Sequence, residues 1–123
     1  MLQVGNGPDA GQSQHEQTDV HRPLTDAETR THFGFWCLLA APLLVGTDLR
    51  ALGECDAEIL TNEALIAINQ DPLGLQGTPD RRDDDRAVWS KRLQDGGAAV
   101  ALLNRGGEWR EIAAHVDTVD VVG

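Results

Sequence analysis

A carboxylate just beyond the end of a buried strand stands where parallel-sheet proteins build their chemistry. Asp48 holds that position here, directly after the apolar run "LLVG" at 43–46 and Thr47. Of the acids in the chain it is the best placed for a catalytic or ligand-contacting role. The same position precedes a helical turn, where an Asp side chain accepts hydrogen bonds from orphan backbone N–H groups. The capping role is the preferred reading, and catalysis is not assigned to Asp48.

The other side chains capable of chemistry do not assemble in the sequence. The histidines (His15, His21, His32 and His115) are scattered. His15 and His21 share a polar stretch but have no carboxylate at helical register, so no metal site is expected. Cys37 and Cys55 match no zinc spacing and are too few for a disulfide framework. Cys37 falls in an apolar helical run and reads as a small buried hydrophobe. Cys55 stands near a helix start, and whether the two thiols are joined is left open. "GNG" at 5–7 is too short for a phosphate loop, and "DRRDDDR" at 80–86 reads as a solvated turn rather than a metal site. Trp89 and Trp109 fall on expected strands, where they could stack on a sugar ring or pack against the sheet.

The elements that would position these residues follow from periodicity. "MLQV" is a short strand ended by "GNG". Residues 8–23 hold one aliphatic side chain, Val20, and read as a long loop. Thr25 and Glu28 form a capping-box pair, and a helix is expected over 26–40 with Phe33, Trp36, Cys37 and Ala40 on its core face. Pro42 stops it. "LLVG", without alternation, reads as a strand buried on both faces in a parallel sheet. "CDAEILTNEALIAINQ" reads as helix, interrupted near Asn62, with Ile59, Leu60, Leu65, Ile66 and Ile68 apolar; Asn69 ends it and Pro72 bars its continuation. The order strand, helix, strand, helix is a βαβ pattern with a right-handed crossover. Two such units make too small a core to stand alone, and the first half reads as a slice of something larger.

The character changes after "NQDPLGLQG" at 69–77. "TPDRRDDDRA" reads as a linker or exposed hairpin tip. "AVWSKRL", "QDGG" and "AAVALLNRG" read as strand, turn and strand, and "EWREI" as the start of a third strand. Residues 1–74 are therefore expected to form an α/β domain, and residues 75–123 an antiparallel β domain.

The chain has 123 residues, with nine Arg, one Lys and a formal charge of −10. Such a surface repels phosphate backbones and anionic lipid, so neither nucleic acid nor a membrane is expected as a partner. No signal peptide is visible. The longest apolar stretch, at 33–46, is interrupted by Pro42 and too short to span a bilayer, so the chain is expected to be soluble.

Three phrases carry a resemblance. "MLQVGNG", "TDAETRTHFGFWCLLAAPLLVGTDLR" and above all "NEALIAINQDPLGLQG" resemble the C-terminal part of glycoside hydrolase family 27, the melibiase-type α-galactosidases. "VWSKRL" and "AAVALLNRG" resemble the opening of that family's C-terminal β domain. Residues 8–23 exceed the family's usual link, and residues 107–123 depart from its pattern.

The resemblance implies the last two βα units of a (β/α)8 TIM barrel followed by the start of a C-terminal antiparallel β domain. It implies retaining hydrolysis of terminal α-D-galactosides, a reaction needing two carboxylates about 5–5.5 Å apart. In the family both are Asp on earlier barrel strands, so no catalytic residue is expected in this chain and no turnover from it alone. Met1 matches a family residue lining the sugar site and is the one expected substrate-binding position. No metal or cofactor is implied, and the oligomeric state and compartment are not indicated. The competing expectation is a non-catalytic carbohydrate-binding or interaction module, which exposed aromatics clustered on the β strands would favour.

Overall fold

The computed structural model describes Leu2, Val4 and residues 24–114. Helix α1, Asp26–Leu38, begins where the capping box predicts: Thr25 Oγ1 accepts from Glu28 N at 3.3 Å, and Glu28 Oε2 accepts from Thr25 N at 2.9 Å. Thr29, Phe33 and Cys37, spaced four apart, form its buried stripe. Trp36 is half-buried against the same core. The helix stops two residues short of the expected end. Ala40 turns left-handed at φ 51°, and Ala41 N donates back to Trp36 O at 3.1 Å, which closes the C-terminus in a Schellman-like turn. Ala40 therefore lies beyond the helix rather than on its core face.

After Pro42 the chain runs extended through 43–46 and pairs with the N-terminal segment in one parallel bridge, Leu2 to Val45. Leu2 N donates to Leu44 O at 2.9 Å and Gly46 N to Leu2 O at 3.2 Å. Leu2 and Val4 are fully buried. The expectation of a strand buried on both faces is corrected: Leu44 is 65% and Val45 42% exposed. A parallel strand is covered on both faces only when strands flank it and helices pack above and below, and among the described residues this one has a single neighbour.

A 3-10 turn, Leu49–Ala51, leads into α2, Glu54–Leu60, and α3, Glu63–Asn69. The break falls at Asn62, whose Oδ1 caps α3 by accepting from Leu65 N at 3.1 Å. Leu2, Val4, Phe33, Cys37 and Ile59 form the core of this half, flanked by half-buried Leu43, Leu60, Leu65 and Ile66.

The second half is a three-stranded antiparallel meander ordered β1 (Thr78–Arg82), β2 (Arg86–Arg92), β3 (Ala98–Asn104). β2 and β3 are the two strands that the sequence predicts. β1 lies in the segment read as a linker or exposed hairpin tip, whose turn at 83–85 does form a hairpin tip between β1 and β2. All five of its residues are exposed, so it carries no alternation to read, and its Pro and Arg residues suit an edge strand. The third strand expected at "EWREI" does not form: residues 105–114 have no regular secondary structure.

The sheet packs on α1. Phe35 and Trp89 meet edge-to-face with centroids 5.5 Å apart. Gly77 N donates to Leu38 O at 2.9 Å, and a Cβ at Gly77 would lie 2.7 Å from Leu38 Cγ, so only glycine permits this approach.

Two outcomes follow. Ala40→Gly removes a left-handed penalty on the order of 1 kcal/mol, and should slow exchange of the Ala41 amide several-fold by mass-spectrometric hydrogen exchange; unchanged or faster exchange would count against the strained turn. The apolar side chains of Leu44, Val45 and Leu49 stand exposed, so the isolated chain should bind an anilinonaphthalene sulfonate dye and melt without a single sharp transition. A sharp cooperative transition of a dye-free monomer would contradict this.

Candidate functional site

The C-terminal ends of the parallel pair bring Val4, Thr47 and Asp48 to one edge of the fold. The Thr47 hydroxyl donates to the Val4 carbonyl, tying the exits of the two strands together. Asp48 follows as the cap of the 3-10 turn. Its Oδ1 accepts from Arg50 N at 3.0 Å and Arg50 Nε at 2.9 Å, and its Oδ2 accepts from Arg50 Nη2 at 2.7 Å. These bonds hold its carboxyl below the ordinary aspartate range. A carboxylate kept ionised and engaged with a guanidinium has no proton to give at neutral pH. Asp48 sits where a barrel enzyme would place an acid, and the geometry makes it a cap.

The remaining candidates separate. Met1, His15, His21 and His115 lie outside the described residues. His32 meets Trp36 at a tilt of 52° with ring centroids 4.9 Å apart, and burial lowers its pKa, which favours the neutral imidazole. Both cysteines are free thiols. Burial pushes Cys37 up to about 11, an offset that nearby Lys91 only partly counters, so it behaves as the inert hydrophobe expected. Cys55, at the start of α2 as expected, lies with its Sγ 3.9 Å from Arg30 Nη2. The "DRRDDDR" run spans the end of β1, the exposed turn at 83–85 and the first residue of β2. Asp83 Oδ1 accepts from Arg86 N at 2.8 Å, and Arg105 Nη2 donates to the carbonyls of Asp83 and Asp84 at 2.8 Å each. Among the described residues no three His, Cys, Asp or Glu side chains gather as metal ligands, and no helix is long and apolar enough to cross a membrane.

Of the two strand tryptophans, Trp89 is on β2 and half-buried against Phe35. Trp109 is 88% exposed and lies outside any strand, contrary to expectation. One exposed ring is not a cluster, so the strands offer no aromatic platform.

Sequence reasoning missed Lys91, the only lysine. It is 2% exposed, and its ammonium donates to Ile68 O at the C-terminal end of α3. Its signal was present: two residues from Trp89 on a strand, it must face the same side.

The whole chain aligns with an α-galactosidase of Oryza sativa subsp. japonica at 37% identity over 123 residues, covering 26% of that protein. A family profile described as alpha galactosidase A matches residues 12–71. Among solved structures, a candidate α-galactosidase/melibiase of Bacteroides fragilis superposes with a TM-score of 0.83 at 39% identity, over 97% of this chain and 25% of that one. An α-galactosidase of Saccharomyces cerevisiae solved with raffinose gives a TM-score of 0.78 at 27% identity, over 99% of this chain and 26% of that one. The chain thus spans about a quarter of the length of these relatives.

The carboxyl of Asp48 should titrate below that of a peptide aspartate when followed by carbon-detected NMR. Arg50→Ala should move the midpoint up toward the peptide value. Because the folded value is depressed, the stabilisation it reports is present above the unfolded pKa and is lost as pH falls through the folded one. An unmoved midpoint in Arg50→Ala would contradict the capping account.

Proposed function

Since the chain belongs to glycoside hydrolase family 27, the melibiase-type α-galactosidases, we propose that it supplies the last two βα units of that family's barrel and the opening of its C-terminal β domain. The units divide near residue 74, with residues 1–74 on the barrel side and 75–123 on the β side. The activity served is retaining hydrolysis of terminal α-D-galactosides. The observation that carries this reading is the match of the full chain, at 37% identity, to one quarter of an α-galactosidase.

The chemistry requires a nucleophilic carboxylate and an acid/base carboxylate about 5–5.5 Å apart. Asp48, bound to Arg50 through both oxygens, serves neither role, and the pair comes from earlier strands. The contribution of this chain is to position the seventh and eighth strand exits, with Met1 packing against the sugar. The parallel bridge between Leu2 and Val45 supports this placement, because it sets the two exits side by side.

The test is a chimera in which residues 1–123 replace the matched quarter of the Oryza enzyme. The folded chimera should hydrolyse 4-nitrophenyl α-D-galactopyranoside, and the chain alone should not. In the chimera, Met1→Ala should raise KM more than it lowers kcat, as expected for a residue that contacts the sugar without taking part in bond cleavage. A chimera that folds cooperatively and lacks turnover would sink the reading.

A further inference from the structure

We propose that the outer edge of β3 pairs with the β3 edge of a second copy of this chain, joining the two antiparallel sheets into one across a two-fold axis. This assembly does not depend on the functional reading above.

The two outer strands of the sheet differ. β1 is blunted: it carries Pro79, Arg81 and Arg82, and its register with β2 shifts between Pro79 and Arg81. Proline, charge and a bulge are the usual guards against edge-to-edge pairing. β3, "AAVALLN", has no charge or proline, and its register with β2 is unbroken. Among the described residues no strand lies on its other side. The side chains of Val100 and Leu102 stand 43% and 52% exposed along it.

The backbone of β3 is set for a partner. Leu93 N donates to Gly97 O at 2.9 Å and Arg105 N to Asp85 O at 2.7 Å, while Asp83 N donates to Arg86 O at 2.9 Å on the β1 side. The odd-numbered residues of β3 therefore turn their N–H and C=O groups to β2. Those of Ala98, Val100, Leu102 and Asn104 turn to the free edge. These four lie evenly about Ala101. A two-fold axis at Ala101 makes the edges antiparallel and pairs Ala98 with Asn104, and Val100 with Leu102, of the other copy. Every outward group is then used. The two Ala101 residues meet at the closest spacing of the ladder, where a small side chain fits.

Side chains and charge favour a second copy as the occupant. On the outer face Val100 meets Leu102. On the inner face Ala99, Ala101 and Leu103 of the incoming strand run beside a groove of about 360 Å³ between β3 and α1, walled by Gly34, Phe35 and Leu38. The space next to Gly34 is open: a Cβ there would meet nothing within 4 Å. The nearest charges along the chain are Asp95 before β3 and Arg105 after it. The two-fold sets the Asp95 end of one copy beside the Arg105 end of the other. β3 is held by β2 along its whole length, so little ordering is lost on pairing. The net charge of −10 per copy opposes approach from a distance. Salt screens that repulsion, so the dimer tightens as salt is added. Leu44, Val45 and Leu49 lie in the other half of the fold, and dye binding there persists in the dimer.

The experiment is sedimentation velocity on the full chain, with hydrogen exchange read by mass spectrometry. Rising concentration should convert monomer to a species of twice the mass, with an association constant several-fold higher at high salt than at low. Exchange of the Val100 and Leu102 amides should slow at least about tenfold on association, while the Ala99 and Ala101 amides, already bonded to β2, change little. Val100→Lys with Leu102→Lys opposes like charges across the axis and should hold the chain monomeric. Val100→Lys with Leu102→Glu opposes unlike charges at the same positions and should restore the dimer, which separates loss of assembly from loss of fold. A chain that stays monomeric at every concentration overturns the proposal, whether its Val100 and Leu102 amides exchange freely or are already protected by its own residues. A dimer that leaves those amides unprotected overturns it, as does one that survives the double lysine variant, one that weakens as salt is added, or a lysine–glutamate variant that stays monomeric. Each of these leaves the activity of the chimera, and with it the functional reading, untouched.

Discussion

The side-chain amide of Asn69 bonds the end of one helix to the end of another, and much of the molecule depends on that contact. When α1 stops at Leu38, its last carbonyls have no intrahelical partners. Asn69 Nδ2 reaches two carbonyls in that region, Ala41 O at 2.8 Å and Trp36 O at 3.3 Å. Asn69 is itself buried at the last position of α3. Trp36 O also accepts from Ala41 N, so losing the Asn69 amide would strip its partner from the part-buried Ala41 carbonyl, at a cost of about 1–3 kcal/mol. The contact fixes where the turn after α1 lies, and hence where the strand at 43–46 begins.

The residues around Asn69 extend the same joint to the sheet. Lys91 reaches in from β2 to Ile68 O. Asp71 accepts from Gln94 N in the β2–β3 turn at 3.0 Å and from Leu73 N at 3.1 Å. Gly74, at φ 60°, allows the reversal that carries the chain to Gly77 and the back of Leu38. The phrase "INQDPLG" thus stops a helix, satisfies the end of its neighbour and anchors the following sheet. This fixes the sheet against α1 and α3, while Leu44 and Val45 of the parallel pair stay exposed beside the core formed by Leu2, Val4 and Phe33.

The helical half was legible because its signals are local. The Thr25–Glu28 capping box, the burial of Phe33 and Cys37 and the break near Asn62 each act within one turn and recur in the structure where they were read, whereas the burial of Thr29 and the capping role of Asn62 emerged only from the structure. Exposure of the strand was misread because "LLVG" encodes a strand suited to burial, while among the described residues it has one strand neighbour, at Leu2. β1 was missed for the opposite reason. A fully exposed edge strand is held by backbone bonds to β2 and leaves no hydrophobic pattern. At the candidate site, the cap role of Asp48 was readable from its place before a turn. The paired hydrogen bonds it accepts from the Arg50 guanidinium were not, because a pairing two residues apart depends on the geometry of the 3-10 turn. The inward reach of Lys91 was encoded in strand parity, but a lone lysine gave no reason to expect burial.

Under the proposed function, this chain is the closing portion of a glycosidase barrel whose catalytic carboxylates lie on earlier strands. The most direct test is to read the genomic DNA upstream of the Met1 codon. The account predicts sequence encoding the preceding βα units and two strand-end catalytic aspartates, either in the same frame or in an adjoining one. Upstream DNA with no such coding sequence would contradict it.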